Sequence, residues 1–132
     1  MAGAAVYDTS VVIDVEKVDL GDYLDAAVVV SAVTVGEFAF GLDAPDRDAR
    51  EARLARVLRS YEVMPFGVEA AKIYGVLASL LRATGRNPRP RRFDLQIAAT
   101  AAAARLPLLT MNPDDFIGLV AMVDVVPIRR AS

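Results

Sequence analysis

Short apolar runs alternate with longer stretches of helical periodicity along this chain. Ala4-Ala5-Val6-Tyr7 reads as a short buried strand, and Asp8-Thr9-Ser10 as a strand-to-helix junction. Val28-Val29-Val30 is a second buried strand, followed by a helix from about Val35 to Phe40 that ends near Gly41. From Arg47 to Arg59, Leu54, Val57 and Leu58 recur at helical spacing, with Tyr61 just beyond, which predicts an amphipathic helix. Glu62–Phe66 is a third strand, confined by Pro65 to an edge or a strand end. A long helix spans about Val68 to Ala83 and stops at Gly85. Two prolines make Arg86–Arg92 a loop, after which Asp94 opens an alanine-rich helix reaching Arg105. Leu106–Leu109 is a fourth strand, Asn112-Pro113-Asp114-Asp115-Phe116 starts a short helix, and Val123–Ile128 is a fifth strand.

Strands separated by helices predict an α/β fold: a mostly parallel sheet of four to five strands flanked by helices. The 132 residues suit one domain, residues 1–132, and no internal repeat interrupts them. No run approaches the roughly 18 apolar residues of a membrane span. The opening seven residues lack a basic start and meet Asp8 early, so a cytoplasmic protein is expected.

Composition narrows the chemistry. With 0 Cys and 0 His, thiolate or imidazole metal sites, disulfides and histidine-based catalysis are excluded. The net charge of −2 exerts no overall pull on nucleic acid, yet Arg82, Arg86, Arg89, Arg91 and Arg92 follow one another with no acid among them. Next to Asp94, the loop arginines Arg86, Arg89, Arg91 and Arg92 are candidates for holding a nucleic-acid backbone. The arginines of 47–59 are interleaved with Asp46, Asp48 and Glu51, as on a salt-bridged exposed helix.

Four acids carry the functional signal. In an open parallel sheet ligands bind beyond the carboxyl ends of the strands, near the point where strand order reverses. Asp8 and Asp115 follow strands, Glu37 lies in the helix after a strand, and Asp94 opens a helix feeding a strand. Each also has a local explanation. Asp8 and Asp94 are natural helix caps, Thr34-Val35-Gly36-Glu37 fits a capping box, and Asp114 and Asp115 suit a first helical turn. Thr9, Ser10, Thr34 and Thr110 could orient ligands or water, though capping accounts for them more simply. If the acids converge, a cation must offset their repulsion, and oxygen-only ligands select Mg²⁺ or Mn²⁺. Such an ion activates water against a phosphodiester without His or Cys. An aspartyl-phosphate enzyme would place a second acid two residues after its nucleophile, where Ser10 stands. A receiver-like or RNA-binding α/β module remains the non-catalytic alternative.

Asp8-Thr9-Ser10, Ser31–Phe38, Asp94–Ala101 and Thr110–Phe116, in this order, resemble the PIN-domain ribonucleases, and more narrowly the VapC toxins of bacterial toxin–antitoxin pairs. That resemblance implies a Mg²⁺- or Mn²⁺-dependent endoribonuclease that acts on RNA, forms homodimers and is neutralised by a VapB-type antitoxin. It places Asp8, Glu37, Asp94 and Asp115 on the catalytic positions, with Asp8 and Asp94 as principal metal ligands. Thr9, Asn112 and Asp114 become accessory candidates.

Overall fold

The computed structural model describes residues 3–40 and 45–132. Its strands are β1 (Ala4–Tyr7), β2 (Val18–Asp19), β3 (Ala27–Ser31), β4 (Glu62–Met64), β5 (Leu108–Thr110), β6 (Val125–Pro127) and β7 (Arg129–Arg130). The helices are α1 (Thr9–Ile13), α2 (Ala32–Ala39), α3 (Arg47–Ser60), α4 (Val68–Ala83) and α5 (Arg92–Ala104). β4-β3-β1-β5-β6 form one sheet in that order, and every pairing within it is parallel. The chain thus moves outward from β1 on one side and later returns to its other side. Strand order reverses between β1 and β5, the position at which such sheets bind ligands.

Two hydrophobic layers enclose this sheet because successive strand residues face opposite ways. Val6, Val29 and Leu108 pack with Leu77 and Leu81 of α4 and Leu95 and Ile97 of α5. Their neighbours Tyr7, Val30 and Leu109 pack on the other face with Val11, Phe38 and Val57 of α1, α2 and α3. The small side chains of α5 admit close approach to its neighbours: Ala98, Ala99 and Ala101 are all fully buried.

Several boundaries depart from the sequence expectations. α2 begins at Ala32, because Ser31 accepts a hydrogen bond from Val33 N and caps the helix before Thr34 is reached. Thr34 and Glu37 are therefore interior helix residues, and the capping box does not form. The predicted helix end near Gly41 lies outside the described residues. Asp94 is the third residue of α5 rather than its cap, since a 3-10 turn at Arg89–Arg91 leads directly into the helix at Arg92. Asn112 makes no capping bond to the 3-10 turn Pro113–Phe116. The small antiparallel pair β2–β7 was not expected; an Asp14–Arg130 ion pair at 2.9 Å and a bond from Ala131 N to Lys17 O reinforce it. Among the described residues no helix is long and apolar enough to cross a membrane.

Ser31 also donates to Thr100 Oγ1 at 3.0 Å, while Thr100 donates to Gln96 O, so this buried hydroxyl pair ties β3 to α5. Replacing Ser31 with Ala removes the cap and the cross-link together. Urea denaturation is expected to show a loss of about 1–2 kcal/mol.

Candidate active site

Asp8 leaves β1 at the switch point, where its N–H bonds to Leu109 O of β5. Its side chain is only 4% exposed, and a carboxylate there needs donors on its oxygens. Thr9 N donates to Oδ1 at 2.9 Å, while Ser10 Oγ and Thr110 Oγ1 donate to Oδ2 at 2.9 and 2.8 Å. The two hydroxyls are themselves oriented: Met111 N donates to Ser10 Oγ and Asn112 N to Thr110 Oγ1. Each hydroxyl thus accepts from the backbone and gives its proton to Asp8. Burial pushes the Asp8 carboxyl above the usual range, and the three donors oppose that shift.

Glu37 is reached through a second hydroxyl relay. Thr9 Oγ1 donates to Glu37 Oε1 at 2.8 Å, which leaves Thr34 Oγ1 as the donor to Thr9 at 3.1 Å. α1 is therefore bound to Asp8 through its first amide and to Glu37 through its first side chain. Burial raises the Glu37 carboxyl, the bond from Thr9 lowers it, and the charge of Asp8 raises it further.

Asp94 shows the convergence most directly. Its pKa is pushed up to about 6, first by burial and then by the charges of Asp8, Asp115 and Glu37, with Arg91 opposing. Four acids from four separate segments therefore share one electrostatic environment. Arg91 is its resident cation: Nη1 is ion-paired with Asp115 and lies 4.0 Å from Asp94 Oδ2. Between the two adjacent aspartates, Asp115 faces the cluster, whereas Asp114 is exposed. Asn112 is exposed and contributes its backbone amide through Thr110. Arg89 and Arg92 lie exposed on the approach to α5, and Arg86 is half-buried.

Among the described residues no three acids are gathered tightly enough to grip one ion directly as the side chains stand. The donor set nevertheless suits a hard divalent cation: it is all oxygen, it is mutually repulsive, and Asp8 and Glu37 are already oriented by hydroxyls. The hydroxyl residues have a larger part than helix capping assigns them. Ser10 and Thr110 hold Asp8, and Thr34 supports Thr9; partners 102 and 25 residues apart leave no mark in local spacing. For Arg91, only its position three residues before Asp94 hinted at the ion pair.

A PIN domain family model matches residues 5–119, and the chain belongs to the PIN-domain family. Within it, the chain belongs with the VapC proteins. It is 37% identical to Ribonuclease VapC5 of Mycobacterium tuberculosis over 134 residues, covering 96% of this chain and 95% of that protein. A crystal structure of VapBC-5, a member of the VapBC family of toxin–antitoxin systems from the same organism, superposes with a TM-score of 0.73 at 34% identity, over 96% of this chain and 98% of that one. VapBC2 from Rickettsia felis, bound to a DNA fragment from its promoter, matches in fold with a TM-score of 0.74 at 16% identity, covering 95% and 98% of the two chains.

The raised pKa of Asp94 has a consequence for folding. A carboxyl with a higher pKa folded than unfolded stabilises fully below its unfolded value, near 4, and that contribution disappears as pH rises through about 6. The difference corresponds to about 3 kcal/mol at full strength. Solvent reaches a side chain that is 34% exposed, which reduces the contribution to about 1 kcal/mol. Without divalent cations, Asp94→Asn is expected to be the more stable protein at pH 7 by that amount and to match the wild type at pH 4. Thermal melts in a chelating buffer at both pH values check this.

Proposed function

We propose that this protein is the toxin of a VapC-type toxin–antitoxin pair and cleaves single-stranded RNA with the help of Mg²⁺ or Mn²⁺. The observation that supports it is the convergence of Asp8, Glu37, Asp94 and Asp115 at the carboxyl edge of the sheet, on a chain with 0 His and 0 Cys. Asp8 and Asp94 would hold the cation, and Glu37 and Asp115 would complete the site directly or through water. When bound, such an ion supplies the positive charge that makes water acidic enough to attack a phosphodiester and offsets charge on the phosphoryl oxygens.

The chain's own groups set the conditions for that chemistry. Thr110, Ser10 and the Thr9 amide hold Asp8 in one orientation, and their donors favour its ionised form. Thr9 fixes one oxygen of Glu37, so its second oxygen is available to orient a water or accept a proton. Arg91 balances Asp115 and Asp94 and stands beside the place where a phosphate would enter. Arg86, Arg89 and Arg92 extend positive charge along the approach and suit the RNA backbone.

A VapB-type antitoxin as partner, a second copy of the chain in a homodimer and action in the cytoplasm complete this reading. Support for the antitoxin comes from the VapBC-5 structure, which describes a member of a toxin–antitoxin family.

Purified protein is expected to cut single-stranded RNA with Mg²⁺ or Mn²⁺ and to stop on addition of EDTA. Asp8→Asn is expected to lower the rate at least about a hundredfold, on the order of losing one major electrostatic contribution to the reaction. Gel analysis of labelled RNA, with circular dichroism to verify folding, provides the check. Undiminished cleavage by folded Asp8→Asn would remove Asp8 from the mechanism.

A further inference from the structure

Beside the acids lies a groove of about 600 Å³ between α2 and α5. Gly36, Glu37 and Phe40 of the α2 side face Arg92, Phe93 and Gln96 of α5 across it. Glu37 belongs to both the groove and the acid cluster, so whatever enters the groove is adjacent to the reacting centre. Two aromatic rings are exposed at this lip: Phe40 at 84% and Phe93 at 45%. Their exposure leaves apolar surface in water at no evident benefit to the fold.

The surrounding chemistry is that of a base-stacking platform. The Arg92 guanidinium lies over the Phe93 ring, 4.7 Å from its centroid, so one face of the ring carries a stacked cation and the exposed remainder offers a flat aromatic surface. Gln96, one helical turn beyond Arg92, brings an amide with both donor and acceptor atoms to the same groove. The space above Gly36 is open, since a Cβ built there meets nothing within 4 Å. A peptide would also pair with Gln96 and Arg92; what favours RNA is the exposed flat ring of Phe93, next in sequence to Asp94 and in a groove shared with Glu37.

We infer that this groove is a nucleobase subsite, in which the base of a nucleotide flanking the scissile phosphate stacks on Phe93 and presents its edge to Gln96. The inference rests on the RNA-cleaving reading and adds to it a determinant of sequence preference outside the acids. Phe93 binds substrate by its ring face, and Gln96 reads the edge, so the subsite distinguishes among bases without altering the reaction itself.

The test measures RNA cleavage and RNA binding separately. For cleavage, a pool of single-stranded RNA randomised around the cut is digested with Mn²⁺ and the cut sites are sequenced. For binding, fluorescence anisotropy follows a short single-stranded RNA on the Asp8→Asn background. Phe93→Ala is expected to flatten the base preference at one position beside the cut and to weaken binding about tenfold, in line with the loss of one stacked base. Phe93→Tyr should restore both. Gly36→Leu, whose Cβ meets nothing within 4 Å, extends an apolar side chain from the groove wall, so it should weaken binding similarly while leaving the thermal midpoint at or above that of the wild type. An abasic nucleotide at the affected position should reproduce the Phe93→Ala loss in the wild-type groove. Unchanged preference and binding in both Phe93→Ala and Gly36→Leu overturn the subsite. So does a result in which those substitutions leave RNA binding intact and abolish binding of a protein partner. A wild-type protein that binds RNA through Phe93 yet cuts none leaves the subsite standing and removes the nuclease reading instead.

Discussion

A carboxylate that must stay oriented while nearly excluded from water governs this structure. Asp8 sits where β1 ends and strand order reverses, and its burial would favour neutralisation if its oxygens lacked donors. The fold supplies them from two directions. Thr9 and Ser10 come from the helix that begins immediately afterwards, and Thr110 comes from the neighbouring strand β5. Both hydroxyls are fixed in turn by amides of Met111 and Asn112. The segment after β5 is thereby positioned relative to the segment after β1, which brings Asp115 within electrostatic reach of Asp8. The remaining acids build outward from this arrangement, Glu37 through Thr9 and Asp94 through the charges it feels.

Repulsion among the acids is the cost of bringing them together, and the protein meets it with unequal means. Hydroxyl and amide dipoles serve Asp8 and Glu37, a full cation serves Asp115, and Asp94 retains the largest imbalance. That inequality gives the cluster chemical direction. Asp94, with a side chain 34% exposed, lies on the side of the cluster approached by Arg91.

Much of the framework is legible in the sequence where one local signal acts without a rival. β1 is visible because four apolar residues end abruptly at Asp8, and α4 is bounded as expected because Gly85, at a φ of +83°, closes it. The start of α2 is less legible because Ser31 and Thr34 offer competing caps; Ser31 prevails by meeting the first free amides. Asp94 looks like a cap from its type, yet the 3-10 turn before it starts the helix at Arg92. Chain order and strand polarity were enough to suggest that the acids share an edge. Which hydroxyl serves which acid, and that Arg91 turns inward, depends on partners brought together by the sheet rather than by spacing.

The two-residue ribbon of β2 and β7 lies outside the main sheet, but it bears on the site mechanically. α1 has five residues, too few to hold a helix by its own hydrogen bonds. One end carries Thr9 and Ser10; the other runs into Asp14, which is clasped by Arg130 and followed by the strand that pairs with Arg129 and Arg130. The last turns of the chain thus act as a strut behind a helix whose front face sets two carboxylates. The same segment reaches the site from a second side, since Ile128 N–H donates to the carbonyl of Thr110, whose hydroxyl holds Asp8.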